Sequence, residues 1–154
     1  MSLPWQLRLE AAGPLALRLS LKNVSTGGQT YFYSQWLQAS ALQVVNAKGQ
    51  TMESYDRRAE MKFDNSIRRE DFKVLKPGAS VMLAEGTFAA KSGKYELHWG
   101  TFVFEDLPPG KYTIQAKWKS TQTKWHDRAS GKSGVVSGVW VGMVSSNAVE
   151  VVLP

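Results

Sequence analysis

Apolar and polar side chains alternate along much of this chain with a period of two, the repeat of a strand that buries one face. Leu15-Ala16-Leu17-Arg18-Leu19-Ser20-Leu21-Lys22-Asn23 is the plainest example, with leucines on one side and Arg18, Ser20 and Lys22 on the other. The same alternation runs through Trp5–Leu9, Tyr112–Trp118 and Ala148–Leu153. Less regular apolar runs lie between them: Tyr31–Tyr33, Leu42–Val45, Phe72–Leu75, Ser80–Leu83, Tyr95–Trp99, Phe102–Phe104 and Val139–Val141. These are too short for helices and rich in β-branched and aromatic residues, so they read as further strands.

Turn chemistry separates the runs. Asn46-Ala47-Lys48-Gly49 predicts a tight hairpin connection, Lys76-Pro77-Gly78 and Pro108-Pro109-Gly110 predict turns, and Thr26-Gly27-Gly28 predicts a loop. Short strands punctuated this closely predict an all-β antiparallel sandwich of about eight to ten strands. Two charged segments break the pattern and are expected to be long loops, Glu53–Asp71 and the Gly- and Ser-rich Thr121–Gly138. Ser66–Asp71 is expected to hold a helical turn. Loops this long in a small domain tend to carry function, so a binding site is sought there.

A length of 154 residues suits one such domain, spanning 1–154, and lets it bury a core without staples. The absence of cysteine removes disulfides, thiol nucleophiles and Cys-based metal sites, and suits the cytosol and the periplasm equally. No apolar run is long enough for a transmembrane helix. Arg8 and Glu10 stand where a signal peptide would need an apolar core, so the first residues do not read as one. The net charge is +6, and between Lys111 and Lys132 there are six bases (Lys111, Lys117, Lys119, Lys124, Arg128, Lys132) against one acid, Asp127. Lys48–Lys76 mixes eight bases with six acids and reads as solvated surface.

Catalytic constellations are sparse. His98 faces away from Leu97 on its strand, and His126 adjoins Asp127 without metal-ligand spacing. Gly131-Lys132-Ser133 lacks the upstream glycine of a P-loop, and no Gly-x-Ser-x-Gly occurs. Glu105–Asp106 and Glu70–Asp71 are adjacent pairs, which a strand points in opposite directions. Asn23-Val24-Ser25 is a glycosylation acceptor only on a eukaryotic secretory route. No catalytic residue, metal ligand or cofactor is therefore expected. Aromatic and basic residues carry the stronger signal. Six Trp and five Tyr exceed the usual needs of a small core, and Trp118, Trp125, Tyr33 and Trp36 fall in or beside loops and polar faces. The candidate binding set is Trp118, Lys119, Lys124, Trp125, His126, Arg128 and Lys132. Nucleic acid is disfavoured, because charge alone points to it and no motif supports it.

Leu107-Pro108-Pro109-Gly110-Lys111-Tyr112-Thr113-Ile114 resembles the corner that feeds strand F of immunoglobulin-like sandwiches. Trp140-Val141-Gly142-Met143-Val144-Ser145-Ser146-Asn147-Ala148-Val149 resembles their last strand in bacterial domains, kinked at a Ser-Asn step. The resemblance implies that Gly110 opens the turn, that the Tyr112 hydroxyl bonds back to upstream backbone, and that Ile114 packs where antibody domains hold their second cysteine. With Leu19–Ser25, Val44–Gln50 and Leu75–Val81, the order is also similar to the bacterial intracellular proteinase inhibitor family. This sequence has Tyr31-Phe32-Tyr33-Ser34-Gln35-Trp36 in place of that family's aromatic-Asp pattern. The expected function is a non-catalytic, extracytoplasmic binding module of a bacterial protein, recognising a protein or polysaccharide through its long loops. Proteinase inhibition and anionic-polymer binding through residues 111–132 are the alternatives.

Overall fold

A computed structural model describes residues 3–34, 40–57 and 66–154. Its strands are β1 (Trp5–Ala11), β2 (Ala16–Asn23), β3 (Gln29–Phe32), β4 (Ser40–Asn46), β5 (Tyr55–Asp56), β6 (Phe72–Leu75), β7 (Ser80–Lys91), β8 (Lys94–Trp99), β9 (Phe102–Leu107), β10 (Gly110–Ser120), β11 (Lys124–His126), β12 (Ser133–Val135) and β13 (Gly142–Leu153). One sheet runs β1-β2-β7-β8-β9-β5 and a second β13-β10-β4, with the β3-β6 and β11-β12 ribbons beside them. Every strand-to-strand ladder is antiparallel. The expected all-β sandwich is present. Among the described residues it has thirteen strands, more than the eight to ten expected, because short ribbons form where loops were anticipated.

The alternation of β2 does what period two predicts. Leu17, Leu19 and Leu21 are buried and pair with Ala11, Leu9 and Leu7 of β1. Leu97, Phe88, Phe104, Ile114 and Val144 from both sheets close the core with them. Each large apolar side chain so buried contributes on the order of 1.5–3 kcal/mol. One end is aromatic: Trp5 meets Tyr31, Trp118 and Trp140 edge-on at 5.5, 5.6 and 6.0 Å, and Trp118 stacks on Trp140 at 5.5 Å.

Three interruptions of the ladders bend the sheets, and at two of them neighbouring side chains use the groups they free. At Leu83 a bulge in β7 leaves a carbonyl that the Tyr33 hydroxyl donates to. In β9 a bulge places Asp106 at φ +54°. In β13 Ser146 and Asn147 stand opposite Ala116 alone, which is the kink expected at the Ser-Asn step. There the Ser146 hydroxyl accepts from Ala116 N–H at 2.9 Å. Asn147 reaches the other way: its Oδ1 accepts from Leu9 N–H and its Nδ2 donates to Leu9 C=O, both at 2.9 Å. One amide thus imitates a strand neighbour and ties β13 of one sheet to β1 of the other.

Asn23, fully buried, plays a similar part at the far end of β2. Its Nδ2 donates to the carbonyls of Gly27 and Leu75, and its Oδ1 accepts from Ser25. This fixes the 24–28 loop against Lys76-Pro77-Gly78-Ala79, a type II turn closed by Ala79 N–H to Lys76 C=O at 3.0 Å with Gly78 at φ +76°.

Several expectations are corrected. Val139–Val141 is not a strand: Val139 makes one parallel bridge to Thr30, and Trp140 turns back onto the aromatic cluster. Ser80–Leu83 and Ala148–Leu153 are ends of twelve-residue strands. Thr121–Gly138 is not an irregular loop, since β11 and β12 form a hairpin within it. The helical turn expected over Ser66–Asp71 is a short 3-10 turn, Arg69–Asp71.

Candidate binding surface

The β11–β12 hairpin is held by its own tip. Asp127 Oδ1 accepts from Ala129 N–H at 3.0 Å and its Oδ2 from the Ser130 hydroxyl at 2.9 Å, while Gly131, at φ +71°, donates to Asp127 C=O at 2.9 Å. The Ser130 hydroxyl bond, the backbone donors and the nearby Arg68 charge hold the Asp127 carboxyl below the usual carboxylate range. The one acid of the basic stretch is therefore spent inside the turn. On β11, Trp125 faces Gly134 of β12 so closely that a Cβ there would lie 2.5 Å from the indole Nε1. Only glycine lets the ring lie flat across β12.

The hairpin does not stand alone. His126 and Ile67 exchange backbone hydrogen bonds, N–H to C=O at 2.9 and 3.1 Å, and Arg128 N–H donates to the Ser66 hydroxyl at 3.0 Å. Ile67 is buried in this contact. The two charged segments that interrupted the strand pattern are thereby joined into one surface. The Arg69 guanidinium lies 6.0 Å over the Trp125 ring, a separation at which the ring's negative face attracts the cation. Ser66–Glu70, Trp125 and Asp127 border a groove of about 350 Å³. An arginine whose planar fork rests on an aromatic ring is preorganised for carboxylate, sulfate or phosphate.

The structure sorts the expected binding residues into three places. Lys124, Trp125, His126, Arg128 and Lys132 belong to the hairpin or its tip. Lys119 is elsewhere: with Lys111 and Lys117 it points outward from β10, opposite Met143, while Lys117 lies between Ser145 and Ala41. Trp118 is corrected outright, because it is 0% exposed and packed among Trp5, Tyr31 and Trp140. It can offer no face to a ligand. Tyr33 is half-buried with its hydroxyl on Leu83, and Trp36 lies outside the described residues.

The Tyr112 hydroxyl donates to Pro108 C=O at 2.5 Å, Gly110 takes φ +148°, and Ile114 is fully buried. His98 faces solvent as expected and lies 3.1 Å from Glu96, which also pairs with Lys91 at 3.8 Å. Glu105 and Asp106 are exposed surface charges, although the β9 bulge rather than strand alternation sets their directions, and Glu105 accepts from the Tyr55 hydroxyl at 2.9 Å. Ser66, Ile67 and Arg69 were not singled out from sequence. Their signal in the sequence was weak: Ile67 is one of several apolar residues, with Met61 and Phe63, scattered through a charged stretch.

No protein-family model matches the chain, and no curated protein matches it.

Proposed function

We propose that this chain is a non-catalytic, immunoglobulin-like binding module of an extracytoplasmic bacterial protein, recognising its partner through the joined loop surface of residues 66–71 and 124–135. The docking of Ile67 on His126 carries this reading, because it turns two separate charged segments into one preformed surface holding Arg69 on Trp125. Preformed surfaces lose less ordering entropy on binding than free loops do. Support for the immunoglobulin-like assignment comes from sheet order. β1-β2-β7 and β13-β10-β4 correspond to strands A-B-E and G-F-C, with a tyrosine corner at Tyr112 and the hairpin in the F–G connection.

The test is a glycan array and a displayed random-peptide library, each probed with the wild-type chain and with Arg69→Ala. Binders that Arg69→Ala loses support the reading. Turnover of esters, glycosides or phosphoesters abolished by one alanine substitution, or an absence of binders on both platforms, refutes it. A second reading, binding of an anionic polymer along β10, is favoured by the outward Lys117, between Ser145 and Ala41, and Lys119, opposite Met143.

A further inference from the structure

We infer that the partner is a protein, and that an extended acidic segment of it adds as a strand to the open edge of β12. This rests on the loop-surface reading and names the partner and its mode of attachment. The register decides which backbone groups are free. Val136 N–H bonds to Thr123 C=O and Asp127 N–H to Lys132 C=O, both at 2.8 Å, so Thr123–Val136, Trp125–Gly134 and Asp127–Lys132 are the hydrogen-bonded pairs of the hairpin. Ser133 and Val135 lie between them. Their N–H and C=O groups point away from β11 and meet no backbone partner among the described residues.

The opposite edge of the same hairpin is already occupied in this way. His126, like Lys124, points its backbone outward from β11, and Ile67 has docked on His126 through two backbone bonds. The ribbon therefore accepts one bridging residue on the β11 side and offers equivalent positions on the β12 side. Edge strands of this kind are normally blunted by charge or proline. Ser133-Gly134-Val135 carries neither, and Val135 is 71% exposed, an apolar side chain that a neighbouring strand would cover.

Charge selects the occupant. Lys124 stands opposite Val135, Lys132 directly precedes β12, Arg128 lies in the tip, and the Asp127 carboxylate beside it is engaged by Ala129 and Ser130. An incoming segment with Asp or Glu at alternate positions would place carboxylates beside these cations while its main chain continues the ladder. Strand addition draws affinity from main-chain bonds and selectivity from alternate side chains. Five residues, at about 3.3 Å each, span the edge.

The experiment pans a displayed random heptapeptide library on the whole chain and measures the enriched peptides by calorimetry against Val135→Pro and Lys124→Ser/Lys132→Ser. Val135 N–H takes no part in the hairpin ladder, so proline there removes an outward donor and leaves β11–β12 paired. The expected outcome is enrichment of peptides alternating acidic with β-branched residues. Val135→Pro should weaken them at least about tenfold at an unchanged unfolding midpoint, and the double serine variant should flatten the salt dependence. Amide exchange of the wild type supplies a readout free of mutation: Ser133 and Val135 should slow by about tenfold or more with peptide bound. Peptides that bind Val135→Pro equally well but lose Arg69→Ala leave the loop surface standing and overturn strand addition. Neutral consensus peptides, unprotected Ser133 and Val135 amides, or heparin binding with no peptide enriched overturn it as well.

Discussion

Asn147→Ala should weaken the sandwich by breaking its tie between sheets. The side chain makes two hydrogen bonds to Leu9, which is 1% exposed. Each such bond is worth about 1 kcal/mol net, and a buried donor or acceptor left unpaired costs about 1–3 kcal/mol. Asn147 is itself exposed, so water can reach the Leu9 groups once the side chain is cut back, and the loss should come to the net worth of the two bonds, about 2 kcal/mol. For a domain of this size that lowers the unfolding midpoint by about 4–8 °C. Urea unfolding followed by tryptophan fluorescence should show a reduced midpoint concentration with an unchanged slope. Asn147→Asp sharpens the test. Its carboxylate can still accept from Leu9 N–H but faces Leu9 C=O with a second negative oxygen, which favours the protonated form and raises its pKa in the folded state. Stability conferred by the protonated form is present at low pH and lost as pH rises, so this variant should recover relative to wild type in acid while Asn147→Ala should not. A cost below about 0.5 kcal/mol for Asn147→Ala, where intact paired bonds of about 1 kcal/mol each are expected, would show that the bridge does not bear on stability.

Trp118→Ala should cost about 3–5 kcal/mol in urea unfolding, whereas Lys119→Ala beside it should stay within about 0.5 kcal/mol; equal small effects would contradict the buried aromatic cluster. Gly86→Ala should destabilise by about 1–3 kcal/mol, since its Cβ would lie 2.7 Å from the His98 carbonyl oxygen and 3.1 Å from the Leu97 and Trp99 side chains. Asp127 makes the hairpin tip acid-sensitive: its lowered pKa means its contribution is present above the ordinary carboxylate value of 3.8 and is lost as pH falls through the folded value. Amide exchange at Ala129 should therefore accelerate in acid relative to Asp127→Asn, and a pH-independent difference between the two would refute that role.

The sequence is most legible where one residue's burial repeats in its neighbours at i±2. Leu17, Leu19 and Leu21 announce their face without help from the rest of the chain, and His98 is placed correctly by Leu97 beside it. The same rule holds for Trp118, which lies in phase with Tyr112, Ile114 and Ala116, all buried. Its alternation marked it as core. The flanking lysines suggested a ligand-facing ring only because charge along the chain was read as charge in one place. Features that depend on distant backbone were not legible. Nothing local shows that Asn147 will imitate a strand beside Leu9, 138 positions away, or that Ile67 will find His126. The β7–β8 connection was hidden for another reason. Its Ser92-Gly93 turn has both residues at positive φ, at 52° and 79°, and serine is an uncommon occupant of that conformation.

The basic excess between Lys111 and Lys132 is two features rather than one, and this separates the readings of function. Period two sends Lys111, Lys117 and Lys119 out from the face of β10, where Glu150 pairs with Lys111 at 3.2 Å and leaves Lys117 and Lys119 as the exposed cations of that face. Lys124, Arg128 and Lys132 sit on the hairpin and its tip, Lys124 opposite Val135 and Lys132 directly before β12. A polyanion lying along the sheet would engage the first set, and an acidic strand on β12 the second. Heparin-column retention of the wild type should fall steeply with salt if either cationic set meets an anionic chain, because each engaged cation releases counterions. Lys117→Ser/Lys119→Ser and Lys124→Ser/Lys132→Ser lower the net charge equally, so a general attraction to the column would shift both by the same amount. Retention lost by the β10 pair alone would favour the polymer reading. Retention governed by the hairpin pair, with peptide binding lost in Val135→Pro, places recognition on β12, and equal shifts in both would count against either set forming a site.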